Sequence, residues 1–357
     1  MIASLSPGGS QSMVINLYKK IDRSKVQFDF IVDHTEGNEL IELVESMGAK
    51  VYFLPTFKGY NILEIIKAWN EFFKTHKEYK VIHSHSRSYA SIYLKIAKKY
   101  GLKTIIHSHS TSNGSGVLAS IKNILQLPLR NIADYLFACS LDSGKWLYGE
   151  ETIKKNNFYI INNAIDTDSY VYDDNTRNEY REKFNLKDEK VFIQVGRFIE
   201  LKNFDFSVKV FNKYLENNPN SRLLLVGDGE VKKDIEELVN QLNLNDKVLL
   251  LGLRDDVNKL LQMADIFLMP SKWEGVSLAA IEAEASDINC LMSDKVSEDV
   301  KIIDKCKFIP LDIDKWIECI NTLEYSRTNR KQDIVDAGYD AGTTASWLQN
   351  FYLKLYE

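Results

Sequence analysis

Two carboxylates eight residues apart, Glu274 and Glu282, bracket the start of an alanine-rich helix in PSKWEGVSLAAIEAEAS, residues 270–286. A short apolar strand, residues 266–269, runs into Pro270; a loop then holds Glu274 and Gly275, and the helix begins near Ser277. The free N–H groups of Gly275, Val276, Ser277 and Leu278 leave that helix end, where about half a positive charge accumulates and an anion such as a diphosphate is favoured. Carboxylates beside a diphosphate suit the hydroxyls of a sugar or a ribose. Taken alone, the same residues also describe an N-capped core helix carrying two solvated glutamates.

A second set lies upstream. The apolar run 191–195 leads into Gly196-Arg197-Phe198 and then Lys202-Asn203. Arginine and lysine five residues apart across a strand-to-helix loop can both reach one diphosphate, the arginine through its planar fork. Glycine turns follow three other strand-like runs: Gly8-Gly9 after residues 1–5, Gly227-Asp228-Gly229 after 223–226, and Gly252-Leu253-Arg254-Asp255 after 248–251. Glycine there lets backbone approach a ligand closely, although Gly8-Gly9 also reads as a plain turn. The full G-x-G-x-x-G fingerprint is absent, which disfavours a nicotinamide-dependent oxidoreductase. A first strand of five residues is short for a central position, and further N-terminal residues are expected before it.

Two tetrapeptides echo each other at strand ends, His83-Ser84-His85-Ser86 and His107-Ser108-His109-Ser110. Alternate histidines on a strand point the same way, so each pair could grip a metal; with no carboxylate or cysteine completing either set, polar histidines lining a cleft are the preferred reading.

These groups need elements to carry them. Strand-like and helix-like runs alternate along the whole chain, as in 28–32, 39–47, 51–54, 63–74, 81–83 and 89–100, which implies parallel sheets wrapped by helices, with ligands beyond the carboxyl ends of the strands. At 357 residues, two domains are expected. The polar stretch 173–188 reads as the passage between them. The helical pattern at 116–129 fits either core packing or an interfacial helix, and the apolar stripe Trp347, Leu348, Phe351, Tyr352 and Leu355 of the last helix must bury somewhere.

Composition narrows the partners. Residues 1–165 carry 20 basic against 14 acidic side chains, and the remainder 25 against 36, so the halves face different partners. The acidic second half disfavours nucleic acid. The window 79–133 has no acidic residue but holds Lys80, Arg87, Lys95, Lys98, Lys99, Lys103, Lys122 and Arg130, either a solvated face or one attracted to an anionic membrane surface. No apolar run approaches the length of a membrane span and no leader pattern opens the chain, so the expected location is cytoplasmic, with peripheral contact at the inner membrane surface. Cys139, Cys290, Cys306 and Cys319 lack C-x-x-C spacing and are expected as free thiols.

With these residues in place, the chain resembles the retaining nucleotide-sugar glycosyltransferases of family 4, especially bacterial enzymes of capsular and exopolysaccharide assembly. The resemblance rests on an ordered set: GGSQSMVINLYKKID, HSHS twice, FACSLDSGKWLYG, INNAID, GRFIELKN, LLLVGDGE, LLGLRDDV and MPSKWEGVSLAAIEAEAS. It implies the GT-B fold, α/β with two Rossmann-like domains whose parallel sheets face across a cleft: an acceptor domain at 1–168 joined by the C-terminal helix 344–357, and a nucleotide-sugar domain at 169–343. It further implies that Gly9 meets the donor diphosphate and that Arg197 and Lys202 neutralise it. Glu282 would hold the ribose hydroxyls, Glu274 with the amides of Gly275, Val276, Ser277 and Leu278 would touch sugar and phosphates, and His109 would lie close to the transferred sugar. The loop carrying Arg254 would lie by the base. No metal or other cofactor is required; the partners are a nucleotide sugar, expected to be UDP-linked, and a polyprenyl-diphosphate-linked or other glycan acceptor. Family members commonly carry Gly and Pro where this chain has Asp287 and Asn289, a departure expected to change the turn or loosen the site. That departure and the short first strand motivate a second reading, a non-catalytic partner of an active transferase; the intact Arg197, Lys202, Glu274 and Glu282 oppose it.

Overall fold

The computed structural model describes residues 1–6, 8–34, 39–110 and 123–356. The chain forms two compact units, Met1–Ala164 with Asp340–Glu357, and Ile165–Tyr339. Each is built of parallel strands wrapped by helices.

In the first unit, β1 (Phe30–Val32) pairs with β2 (Val51–Phe53), and β3 (Val81–Ser84), β4 (Lys103–Ser108), β5 (Tyr135–Ala138) and β6 (Phe158–Ile160) pair in that order. Residues 1–5 bridge the two sets. The Ile2 amide donates to the Ile31 carbonyl at 3.0 Å, and the His85 amide donates to the Met1 carbonyl at 2.8 Å. The first stretch of chain therefore lies centrally, between β1 and β3. Strand order reverses beside it, and crevices for ligands open at the carboxyl ends of strands at such a point. The stripe on helix Ala341–Tyr356 buries within this same unit: Phe351 meets Tyr135 and Phe137 at ring separations of 5.0 and 5.3 Å, and the Tyr352 hydroxyl lies 2.5 Å from Nδ1 of His83.

The second unit holds β7 (Lys190–Val195), β8 (Ser221–Val226), β9 (Val248–Gly252), β10 (Ile266–Met269), β11 (Asn289–Ser293) and β12 (Cys306–Ile309). All pair in parallel, in the order β12-β11-β10-β7-β8-β9. Order reverses between β7 and β10. Every residue of β10 and β11 is buried, as expected of strands covered on both faces. Two strand ends meet backbone to backbone: Gly227 has φ +133°, and a Cβ there would sit 1.9 Å from the Gly196 carbonyl oxygen. Only glycine fits.

Several expectations change. The stretch 173–188 is not a passage: Asp173 caps helix Asp174–Lys183 through its carboxylate, and Arg177 on that helix bonds Asp265 at 2.6 Å, which fastens it to the second unit. The chain crosses at 164/165 and 339/340, four residues ahead of each expected boundary, and the Ile165 amide bonds the Tyr339 carbonyl at 2.9 Å where the two crossings meet. The first half of the helical pattern at 116–129, residues 116–122, lies outside the described residues. All four cysteines are free.

Asp287 changes the turn in an unforeseen way. It occupies the left-handed region at φ 52°, where glycine is easiest, and its side chain is buried. Its carboxylate accepts from Lys305 at 2.8 Å, Arg330 at 2.9 Å and the Thr328 amide at 2.5 Å. Burial works against ionisation, but these donors outweigh it and hold the carboxyl below the usual carboxylate range. The departure from the family pattern is thus an anchor joining the end of helix Leu278–Ala285 to the segments after β11 and before the last helices.

We expect Asp287→Ala to lower unfolding free energy by about 2–4 kcal/mol, through lost pairing and a strained left-handed residue, and Asp287→Gly to recover only the backbone part. Urea denaturation checks this. Because the folded pKa is depressed, the stabilisation should be present above pH 3.8 and disappear as pH falls through the lower folded value.

Candidate functional site

At the reversal between β7 and β10, two loops are laced together. The Lys272 amide donates to the Leu201 carbonyl at 2.8 Å, Asn203 Nδ2 to the Pro270 carbonyl at 2.9 Å, and Gln194 Nε2 to the Lys202 carbonyl at 2.8 Å. Asn203 sits at φ 57°, a position asparagine tolerates, and turns the chain into helix Phe204–Leu215. A third loop joins from the β11 side, where the Ser297 amide donates to the Glu274 carbonyl at 2.9 Å.

These loops carry the expected residues. Lys202 and Glu274, both partly buried, form an ion pair with each other. The expectation gave them separate partners, and in the free protein each neutralises the other. Arg197 is exposed after β7 with no ion pair among the described residues. Ser277 precedes helix Leu278–Ala285 without a side-chain cap, and no hydrogen bond among the described residues reaches the amides of Gly275, Val276, Ser277 or Leu278. That helix end is therefore an open set of donors at the carboxyl edge of the sheet.

Glu282 lies about one turn inside the helix, partly buried, and burial pushes its carboxyl up to about 7 despite a hydrogen bond from Tyr170. Tyr170 closes the short turn Thr167–Tyr170, and nothing in its sequence context marked it. The neighbouring Glu284 is fully buried and accepts the Ile302 and Ile303 amides, both at 2.8 Å; it pins a loop and belongs to the scaffold. Arg254 follows β9 and forks onto Asp256 at 2.8 and 2.6 Å. Its guanidinium is held by that neighbour, which fixes the shape of the loop after Gly252.

In the first unit, Gly9 is exposed at the start of helix Gly9–Lys20, with open space where a Cβ would stand. His109 follows β4, bonding His85 at 2.8 Å through Nε2 and Asn163 at 3.2 Å through Nδ1. Burial lowers its pKa to about 4, against the Asn163 hydrogen bond, so the ring is neutral at physiological pH. The two histidine pairs, weighed one pair at a time in the sequence, form one group because β3 and β4 are neighbours. Rings of His83 and His85, and of His107 and His109, stack at 4.3 and 4.1 Å. Ligand nitrogens of His83, His85 and His107 lie within 4.8 Å of one another, making these the residues that could hold a metal among those described. The three rings lean against one another at interplanar angles of 23° (His83–His85), 14° (His83–His107) and 37° (His85–His107). Arg87, counted among the basic residues of a solvated face, instead lies over the Trp146 ring at 5.0 Å and bonds Ser110 at 2.9 Å.

Comparison with known proteins decides the family. Residues 176–339 match the family described as "Glycosyl transferases group 1", and residues 7–169 match "Glycosyltransferase Family 4". The chain belongs to the family 4 glycosyltransferases. It is 29% identical to a putative glycosyltransferase EpsF of Bacillus subtilis, over 99% of this chain and 95% of that one. It is 26% identical to the UDP-Gal:alpha-D-GlcNAc-diphosphoundecaprenol alpha-1,3-galactosyltransferase of Escherichia coli, over 75% of this chain and 72% of that one. The crystal structure of Anabaena Alr3699/HepE in complex with UDP-glucose superposes with a TM-score of 0.77 at 16% identity, covering 99% of each chain. The glycosyltransferase thus has the GT-B fold of two Rossmann-like domains.

The raised pKa of Glu282 has a measurable sign. Its neutral form stabilises the fold fully below about pH 4.5, and that contribution is lost as pH rises through about 7. Glu282→Gln should therefore match the parent near pH 4.5 and exceed its unfolding free energy by on the order of 1–3 kcal/mol at pH 8, measured by denaturant titration at both pH values.

Proposed function

We propose that this glycosyltransferase moves a hexose or N-acetylhexosamine from a UDP-sugar to a lipid-linked glycan acceptor in surface polysaccharide assembly, with retention at the anomeric carbon and without a metal ion. The observation that carries the donor reading is the concentration of Arg197, Lys202, Glu274, the open amides of residues 275–278 and Glu282 at one strand-order reversal. The Escherichia coli relative, a UDP-Gal:alpha-D-GlcNAc-diphosphoundecaprenol galactosyltransferase, and the structural neighbour from Anabaena, which was solved in complex with UDP-glucose, support this donor and acceptor class.

The chemistry follows from where charge develops. The bond from the sugar's anomeric carbon to the phosphate oxygen breaks, its electron pair leaves with the diphosphate, and the acceptor oxygen bonds the same face of that carbon. The acceptor proton passes to the departing phosphate oxygen. Arg197, Lys202 and the helix amides stabilise the growing anion, work that a divalent cation does in other designs. Donor binding exchanges partners: the diphosphate takes Lys202, and Glu274 is released to accept from sugar hydroxyls. Glu282 accepts from the ribose hydroxyls, in the first unit Gly9 meets the diphosphate through its backbone, and neutral His109 hydrogen-bonds the transferred sugar.

The acceptor reading draws on the first unit. Lys95, Lys98 and Lys99 are exposed on one face of helix Ala90–Lys99. Helix Ile62–Thr75 packs beside it, Trp69 stacking on Tyr93 at 4.4 Å, and leaves Leu63 79% exposed next to Tyr60 at 81%. Exposed lysines on one helix and exposed apolar side chains on its neighbour suit an anionic membrane surface at the inner face of the cell membrane. No helix among the described residues is long and apolar enough to cross a membrane.

Incubation with a panel of UDP-sugars and a polyprenyl-diphosphate-linked sugar, followed by mass spectrometry and proton NMR of the product, tests the reaction. One UDP-sugar should yield a product whose new linkage keeps the donor's α configuration, and Arg197→Ala should lower kcat by about 10²–10³. An inverted product, or an undiminished rate in Arg197→Ala, would overturn the mechanism. For the membrane, charge reversal of Lys95, Lys98 and Lys99 together with Leu63→Asp should abolish co-flotation with anionic liposomes; unchanged flotation contradicts it.

A further inference from the structure

A polar cavity of about 320 Å3 lies at the other end of the second sheet, where β7, β10 and β11 begin. It belongs to none of the loops that carry the donor residues. Three cations line it: Arg177, Lys190 and Arg327. Arg177 has a carboxylate partner in Asp265, which Arg181 also approaches at 3.7 Å. The other two have none among the described residues. The Lys190 ammonium rests 3.2 Å from the centre of the Tyr325 ring, and the Arg327 guanidinium 5.0 Å from that of Tyr172. Hydrogen bonds from Arg327 go to the backbone carbonyls of Leu261 at 3.2 Å, Gln262 at 3.0 Å and Ala264.

The carboxylates on the wall answer this excess only in part. Asp265 is shared by two arginines and Asp287 is bound by Lys305 and Arg330, while the Asp174 carboxylate, which accepts the neutral Tyr172 hydroxyl at 2.7 Å, offsets one cation. The carbonyl end of helix Val257–Met263 offsets about half a charge. Two partly buried cations therefore face one polar space, each backed by a tyrosine ring that holds it in place. Burial lowers the Lys190 pKa; Asp265 opposes this, while Arg177, Arg181 and Arg327 add to it. A dianion in the cavity relieves this crowding through charge-assisted hydrogen bonds. The space exceeds that of a bare phosphate and accommodates a sugar-sized body beside it.

We propose that this cavity binds the phosphate group of a small phosphorylated metabolite, at a site distinct from the one proposed for the donor. Lys190 and Arg327 supply the charge, and Arg177, Tyr325 and Tyr172 shape the pocket around it. The proposal stands whether or not the donor assignment does.

Calorimetric titration of the full chain with inorganic phosphate and with glucose 1-phosphate tests it, using the parent, Lys190→Gln, Lys190→Arg and Arg197→Ala. Saturable binding below about 10 mM should weaken at least tenfold in Lys190→Gln, persist in Lys190→Arg and be unchanged in Arg197→Ala. In the unmodified protein, the same ligands should shift the amide resonances of Lys190, Tyr325 and Arg327, which keeps the test valid if Lys190→Gln does not fold. Tighter binding of the ester names a phosphorylated metabolite as occupant, and equal binding names free phosphate; both support the site. Undiminished binding in Lys190→Gln, loss in Arg197→Ala instead, or no saturation by about 10 mM overturns it.

Discussion

Lys202 and Glu274 meet across the point where the second sheet reverses its strand order, and the local architecture is arranged to bring them together. One follows β7 and the other β10, neighbours in space though 72 residues separate the ion-paired side chains. The loops that hold them exchange backbone and side-chain hydrogen bonds, and the adjoining turn exists only because Gly227 lets its backbone press on Gly196. An open helix end then stands beside the pair. A doubly wound sheet produces such a place once per reversal, which is why cations, carboxylates and free amides collect there rather than elsewhere on the surface.

Under the proposed donor site, the same pair would keep the cation in place in the absence of donor. An unpaired, partly buried lysine or glutamate is costly, whereas a pair that opens to an incoming diphosphate keeps both charged and in position. Arg197, exposed and without an ion pair among the described residues, needs no such partner. Glu282 uses the opposite device: its surroundings disfavour the carboxylate, and under the proposed donor site the arrival of hydroxyl donors would link protonation and occupancy at one residue.

Much of this was legible in the sequence. Alternating apolar runs located nearly every strand, because strands buried on both faces cannot tolerate polar substitutions, and the glycine turns marked their carboxyl ends. The helix start at Ser277 followed from the alanine-rich run after Gly275. What could not be read depended on contacts distant in sequence. Tyr170 reaches Glu282 from a turn with no periodicity, Asp287 finds Lys305 and Arg330 only after folding, and the two histidine pairs become one group only because β3 and β4 pair. The segment 173–188 was misread because a surface helix of charged residues looks like a linker when its anchor, Arg177 on Asp265, is invisible.

The measurement closest to the central claim is a calorimetric titration of UDP into the full chain and into Glu282→Ala. The account predicts saturable UDP binding by the parent, with affinity at least about tenfold lower in the variant, because its ribose hydroxyls lose their acceptor. Equal affinity in both proteins, or no UDP binding by the parent, would contradict the assignment of this strand-order reversal as the nucleotide-sugar site.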